Sequence, residues 1–436
     1  MKNLKCLFSA IFLSAFLSSC AAAPESATTS LQPVFDEKVT LSCMACMDWV
    51  SDAELELARE FDSQYDIGIE YQIFPSNQYY NLLLTKLNTG ECPDIFMAQS
   101  GRFDIGTQYN VEKNAVDLSD ASWAQKVDSM AAGELTINGR LYGQPAQDTS
   151  AIWAIGYNKQ IFNRLHLSVP HTYEEFTQVC ETIQDAGITP IYECLTESWH
   201  HTLWFVESCV VQETIDPGYK EKLNNNTASF AGNSTFLKIL NQIQDMVNSG
   251  YWGEHYITNS YDNAPDAIAS GEYAMVVYNQ GLNREVHAIN SDIALEDIGF
   301  FVIPLADNQT LNVNPAGPAR MIYSGSQHIE EAKEYFEFLA SQDSLQYMVE
   351  QVPKYNTLPF ENSPRRSDFC NTELYQQYPD KQIVYQTAVK YVNPQWTEIG
   401  NDLTDMLQGN ITPEQVLVSM DQRRAEQAHI VGDTNW

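Results

Sequence analysis

The sequence has no apolar run long enough to cross a bilayer as a helix. Its longest, Cys6 to Leu17, reaches about 18 Å at the helical rise of ~1.5 Å, against a hydrocarbon core of ~30 Å. Basic residues are scarce: 24 Lys and Arg stand against 57 Asp and Glu, a net charge of -33. Such a surface repels nucleic acid and anionic lipid headgroups, so no nucleic-acid partner is expected. It also lacks the Lys/Arg cluster that an anionic ligand requires. Cysteines number nine and are scattered, which excludes a disulfide scaffold. Cys43-Met44-Ala45-Cys46 has no second CxxC to complete four zinc ligands, so no metal is expected there. No nucleophile elbow, Walker loop, H-E-x-x-H or dinucleotide fingerprint is present, so no cofactor is expected either.

What is there begins at the amino end. Lys2 and Lys5 precede the short apolar run, and Leu17-Ser18-Ser19-Cys20 closes it. This is the layout of a secretory signal peptide over 1–19. The stretch from Cys20 to 35, "CAAAPESATTSLQPVF", has no apolar periodicity and reads as a flexible tether. Without the leader, 22 basic residues face 57 acidic ones, a net charge of -35.

From Val34 strands alternate with helices. "VTLSCMACMDW" reads as a strand. Asp52 is placed to cap a helix with Leu55, Ala58, Phe61 and Tyr65 on one face. Ile67 to Ile73 alternates as a second strand, "NQYYNLLLTKLNTG" is a helix stopped by Gly90, and "PDIFMAQ" is a third strand. This βαβαβ order predicts a parallel sheet with right-handed crossovers. Thr172 and Glu175 form a capping box for a helix with Phe176, Val179, Cys180 and Ile183 inward. "STFLKILNQIQDMVNSG" predicts another, with Leu237, Leu240, Ile243 and Val247 inward. "IEEAKEYFEFLASQDSLQYMVEQ" reads as one long amphipathic helical stretch. The densest titratable patch, "YECLTESWHHTLWFVES", holds Glu193, Glu197, His200, His201 and Glu207. An acid pair for glycoside hydrolysis can be drawn from it, although close carboxylates arise by chance among 57 acids.

Several of these stretches, in this order, resemble the extracellular solute-binding lipoproteins of bacterial ABC importers, of the carbohydrate-binding family 1 type. "YYNLLLTKLNTGECPDIFMA", "LYGQP", "IGYNKQIFNRLHLSVPHTYEEF", "AGITPI", "AIASGEYAMVVYNQG" and "EEAKEYFEFLASQDSLQYM" carry the likeness, from about Val39 to Pro359. The Leu17–Cys20 stretch likewise resembles a lipobox, which implies diacylation of Cys20 and a protein held at the outer face of the cytoplasmic membrane by lipid alone. The resemblance implies two discontinuous α/β lobes joined by hinge strands, of the periplasmic-binding-protein type II kind. Lobe 1 is expected over 36–147 plus 315–353 and lobe 2 over 148–314 plus 354–436, with crossings near Gln147, Pro315 and Lys354. It further implies a monomeric receptor that closes on a carbohydrate and delivers it to permease subunits, with no bond made or broken.

A sugar offers apolar C–H faces to aromatic rings and hydroxyls to Asp, Asn, Gln and Arg. In open α/β sheets, ligands sit beyond the carboxyl ends of strands. The expected ligand-binding residues are therefore Asp48 and Trp49 after the first strand, and Gln99, Ser100 and Arg102 after the third. Asp148 and Trp153 flank the first crossing, Trp199 follows "GITPIYE", and Asn279 and Gln280 follow "AMVVY". Asn314 and Tyr355 lie near the later crossings, and Trp396 is a late lid. The competing reading makes Trp49 and Trp153 plain core and Arg102 a surface ion-pair partner. One departure stands out: Leu282 occupies a position where the family often carries tryptophan, so any ring stacking there must come from elsewhere. A polyamine or other small cation in the same transport role, and a surface glycosidase using Glu193 or Glu197, are the alternatives in function.

Overall fold

The computed structural model describes residues 38–150, 152–366 and 371–436; the leader, Cys20 and the tether lie outside them. In chain order the strands that position the site are β1 (Thr40–Cys46), β2 (Gly68–Phe74), β3 (Ile95–Gln99), β4 (Gln144–Pro145), β5 (Ala154–Asn158), β6 (Thr189–Tyr192), β7 (Tyr273–Tyr278), β8 (Ile298–Phe301), β9 (Leu311–Val313), β10 (Pro318–Ile322) and β11 (Lys381–Ile383). One sheet runs β2-β1-β3-β10-β4 and another runs β8-β5-β7-β6. β1 is parallel to β2 and β3, and β10 returns antiparallel between β3 and β4. In the other sheet β6 and β7 are parallel, while β5 is antiparallel to β7 and β8. The βαβαβ start is thus as the sequence pattern requires. β1 is buried along Cys43–Cys46, because helices cover both faces of a parallel sheet. Cys43 and Cys46 sit three apart on that strand, so their side chains face opposite ways with Cα atoms about 10 Å apart. That is beyond disulfide reach.

Each sheet has its own apolar core. One is built from 41–146 and 319–360, the other from 152–311 and 374–420. The chain therefore passes between them after Ala146, after Leu311 and after Phe360. The third passage falls later than Lys354. Asp128 N donates to the Pro359 carbonyl and Glu361 N to that of Lys126, so 359–361 is held on the first lobe.

Local details differ from the sequence pattern where distant residues intervene. Ser51, one residue before Asp52, caps the first helix by accepting from Glu54 N, and the buried face is Ala53, Glu54, Leu57, Ala58 and Phe61. Tyr65 is 41% exposed, and Leu55 is half-buried. Glu54 is inward because Arg320, on β10, meets it: Nε to Oε1 is 2.8 Å and Nη2 to Oε2 is 2.7 Å. The Tyr71 hydroxyl donates to the same carboxylate at 2.8 Å and lies 3.0 Å from that of Tyr335. The helix Tyr173–Asp185 buries Phe176, Val179, Cys180 and Ile183 as expected, with Thr172 accepting from Glu175 N. The helix Ser234–Asn248 instead buries Phe236, Ile239, Leu240, Gln242, Ile243 and Met246, leaving Leu237 and Val247 at the core's margin. The long helical stretch is two helices, Ile329–Leu339 and Gln342–Gln351, because Ser341 breaks out to cap the second by accepting from Ser344 N.

Glu207 closes the helix Ser198–Val206 and is 2% exposed; burial pushes its carboxyl up to about 8. A carboxyl raised on folding holds its proton in the folded state after the unfolded chain has released it. Its contribution is whole below the ordinary carboxylate range and is lost as pH rises toward 8. Melting temperature is therefore expected to fall between pH 5 and pH 8, and Glu207→Gln should flatten that decline. A pH series of thermal melts in which Glu207→Gln keeps the wild-type slope would contradict the assignment.

Candidate functional site

The passages between lobes are fixed by side chains that bond to backbone. Gln147 Nε2 donates to the Trp49 carbonyl at 3.2 Å. Asp148 accepts from Ser150 N at 2.7 Å with one oxygen and from Asn356 N at 2.7 Å with the other, joining the first passage to the approach of the third. Burial raises its carboxyl, and these hydrogen bonds oppose the rise. Gln280, fully buried at the end of β7, exchanges two hydrogen bonds with the backbone of Ile152, at 2.6 and 2.8 Å. Both polar atoms of its amide are thereby used. Asn279 Oδ1 accepts from Gly281 N. Ser100, just past β3, exchanges hydrogen bonds with Gly317 of the second passage, and Asn314 accepts from Thr387 Oγ1 and Ala316 N.

On lobe 1, Trp49 is 8% exposed and packs edge-on to Tyr79 and Tyr80, 5.4 and 5.9 Å between centroids. Tyr79 is tied by its hydroxyl to the carbonyls of Met44 and Met97, whereas Tyr80 is 39% exposed. Gln99 is half-buried beside Pro318. Arg102 is exposed, its guanidinium 4.9 Å from the Phe103 ring centre. Tyr355 is 2% exposed within the first core, and Asp48 lies in the turn Met47–Trp49 that ends β1.

Lobe 2 presents a connected group of rings. Trp153 and Trp199 are 5.8 Å apart edge-on, Trp199 and Tyr261 4.8 Å, and Tyr261 lies stacked on Tyr278 at 4.9 Å and 12°. Trp396 Nε1 donates to the Trp199 carbonyl at 3.0 Å. Trp153, Trp199, Tyr261 and Trp396 are each only partly buried against the second core. The sequence-expected Trp153, Trp199 and Trp396 are thus brought together, while Tyr355 and Gln280 are placed in core surroundings. Tyr278 and Tyr261 were missed. Tyr278 ends β7, so the strand-end rule that selected Asn279 reaches it; Tyr261 sits in a turn with no periodic signal. Leu282 is fully buried, and a Cβ at Gly156 would meet its Cδ2 at 2.5 Å. It is a core residue, and the rings come from these other positions.

Beneath the rings, Glu193, Cys194 and His200 bring ligand-type atoms within 4.8 Å. Their chemistry is that of an ion pair. Nε2 of His200 faces the Val277 carbonyl at 2.9 Å, which only accepts, so that nitrogen carries hydrogen. Nδ1 lies 2.6 Å from Glu193 Oε1, an oxygen that already receives Cys194 N. Trp204 Nε1 donates to Oε2 at 2.5 Å. Although burial opposes both charges, the partners' attraction holds His200 above and Glu193 below their ordinary values. A metal would find no free lone pair on the imidazolium. A glycosidic oxygen would find no open face on Glu193, which is fully buried. A cavity of about 960 Å³ lies elsewhere, at the passages, lined by Asp148, Thr149, Ser150, Pro315, Thr357 and others; of the expected ligand residues it includes only Asp148.

The sequence pattern of the bacterial extracellular solute-binding proteins matches residues 49–346. The chain belongs to that family. Among its relatives, the melibiose/raffinose/stachyose-binding protein MelE of Bacillus subtilis is 22% identical across the whole of both chains. A Bacillus licheniformis sugar transporter solved in complex with stachyose superposes with a TM-score of 0.73 at 19% identity, over 89% of this chain and 100% of that one. A chitin oligosaccharide binding protein gives 0.74 at 16%, over 90% and 99%. The fold is accordingly the two-lobed type II periplasmic-binding-protein arrangement that the resemblance implied. Among the described residues of this solute-binding protein, no helix is long and apolar enough to cross a membrane.

Proposed function

We propose that this protein is a lipid-anchored receptor that captures an oligosaccharide between its lobes and delivers it to the permease subunits of an ABC importer. The observation that carries the reading is the group of partly buried rings, Trp153, Trp199, Tyr261 and Trp396, at the carboxyl-end side of the second sheet. Rings in contact hold each other in fixed orientations, which suits apolar sugar faces. Relatives named for melibiose, raffinose and stachyose support the same class. Gln99, Arg102, Asn279 and Asp48 supply polar groups for the hydroxyls, and Trp49 with Tyr80 forms the lobe 1 wall. We take lobe 1 as 38–146 plus 319–360 and lobe 2 as 152–311 plus 374–436, a division supported by the two apolar cores. Cys20 carries the acyl anchor, the receptor works as a monomer, and no bond of the solute is made or broken.

A thermal-shift panel on the chain from Val34 onward tests this. Raffinose, stachyose, chitin oligosaccharides, monosaccharides and polyamines are compared. A ligand at ~100 Kd adds about 2.7 kcal/mol, expected as a rise of a few degrees for a protein of this size. An oligosaccharide should give the rise and be recovered intact by mass spectrometry. A rise with polyamines alone overturns the sugar assignment, and a shortened sugar overturns the receptor reading in favour of hydrolysis.

A further inference from the structure

Away from the passages, the lobes also touch where the helix Arg102–Thr107 of lobe 1 meets 389–395 of lobe 2. Asn393 Nδ2 donates to Asp104 Oδ2 at 2.9 Å, and Lys390 Nζ lies 5.9 Å from the Phe103 ring centre. Asp104 is 6% exposed, two residues past Arg102 at the end of β3, and Asn393 is three residues before Trp396. The amide of Asn393 is itself held. Its Oδ1 accepts from Gln386 Nε2 at 2.8 Å, and Gln386 Oε1 accepts from Asn314 Nδ2 at 3.1 Å. Asn314 lies in the second passage, where Thr387 Oγ1 donates to it at 2.6 Å. Three amides thus run in register from the hinge to a carboxylate on the opposite lobe, each donor matched to an acceptor. Asp104 and the three amides lie outside both apolar cores.

We propose that Asp104 and Asn393 form a latch that holds the lobes together before solute arrives, with the relay Asn393–Gln386–Asn314 tying the latch to the hinge. Asp104 is a positioning residue: it acts on closure through Asn393. The consequence for affinity rests on the receptor reading, because the apparent dissociation constant scales inversely with the closed fraction. A single hydrogen bond of this kind shifts the open–closed ratio by roughly two- to tenfold.

The latch also senses pH. Burial raises the Asp104 carboxyl to about 7, Asn393 opposes the rise, and Glu134 adds to it. Tyr109 on its own lobe and Tyr391 from the facing loop also act on it, while Lys390 of that loop is paired with Asp433 at 2.8 Å. Opening the lobes hydrates the carboxyl and returns it toward the ordinary range. Closure is therefore strongest at acid pH, weakens as pH climbs from about 4 toward 7, and is flat above.

Small-angle scattering of the solute-free mature chain, expressed without its acyl group, tests the latch without reference to any sugar. Asn393→Asp sets two carboxylates against each other. It should raise the radius of gyration at pH 8 and lose the increase at pH 5, where the pair shares a proton. Asp104→Asn keeps the hydrogen bond, so it should match wild type at pH 5 and lose the pH dependence. The double variant Asp104→Asn/Asn393→Asp restores an amide–carboxylate pair and should return to the compact value at pH 8. The proposal is overturned if Asn393→Asp scatters like wild type at pH 8, or if the double variant stays as extended as Asn393→Asp while its near-ultraviolet circular dichroism shows a native fold.

Discussion

Replacing Arg320 by leucine is expected to lower the unfolding free energy by about 3–5 kcal/mol. Arg320 is 4% exposed and meets Glu54 with two nitrogens, at 2.8 and 2.7 Å. Leucine leaves Glu54 buried with the Tyr71 hydroxyl as its remaining donor among those bonds. The cost comes from a charge left without its counter-charge, more than from the volume lost. Two measurements separate these causes. In urea titrations the loss should shrink at pH 4–5, where a stranded carboxylate takes up a proton, and be greatest near pH 8. A loss of equal size at both would point to a packing defect. Glu54→Met combined with Arg320→Leu should recover most of the stability, since an apolar pair of similar volume has no desolvated charge. The pair links the helix after β1 to the strand that returns from lobe 2, so it fixes where the second passage enters the first sheet.

That pair also marks how far the sequence could be read. Spacing placed the helix Asp52–Tyr65 correctly, and it placed Ala58 and Phe61 inward. It also puts Leu55 and Tyr65 inward and leaves Glu54 off the inward face, where the structure buries it. What turns the helix is an arginine 266 residues away, and no local period carries that information. Along Phe176–Ile183 the inward residues are all apolar and meet apolar partners such as Trp204 and Phe301, and there the pattern and the packing coincide. The third passage lies a few residues beyond Lys354 for a similar reason: Val127 and Phe360 form a bridge between distant segments. The ring group shows both sides of this. Trp153, Trp199 and Trp396 were reachable from strand ends and composition. Tyr261 is brought under them by a backbone hydrogen bond to Glu197, 2.7 Å from its N–H, and Asp104 became visible only through its partner on the other lobe.

Trp199→Ala is expected to weaken oligosaccharide binding by roughly 30-fold or more, the effect of losing about 2 kcal/mol at a central aromatic contact. Trp199 touches Trp153, Tyr261 and the His200 ring edge-on, and its carbonyl receives Trp396 Nε1. Alanine keeps the carbonyl, so the Trp396 hydrogen bond survives and the helix Ser198–Val206 retains its first turn. The side chain is half-buried, so the stability loss should be the smaller part. Trp204 is the control on the same helix: it is fully buried, and its indole donates to Glu193. Trp204→Ala removes core volume and one of the donors that hold the Glu193–His200 pair, so it should lower the melting temperature steeply. Its folded fraction should still bind sugar with near-native affinity. Calorimetric titration with the best oligosaccharide from the panel, beside thermal melts of both variants, distinguishes the roles. If Trp199→Ala binds as wild type, the rings of lobe 2 are core trim and the sugar face must be sought around Trp49 and Tyr80. If Trp204→Ala loses affinity in proportion to Trp199→Ala at a temperature where both are folded, the ring group acts on solute through the packing of its helix instead of by contact.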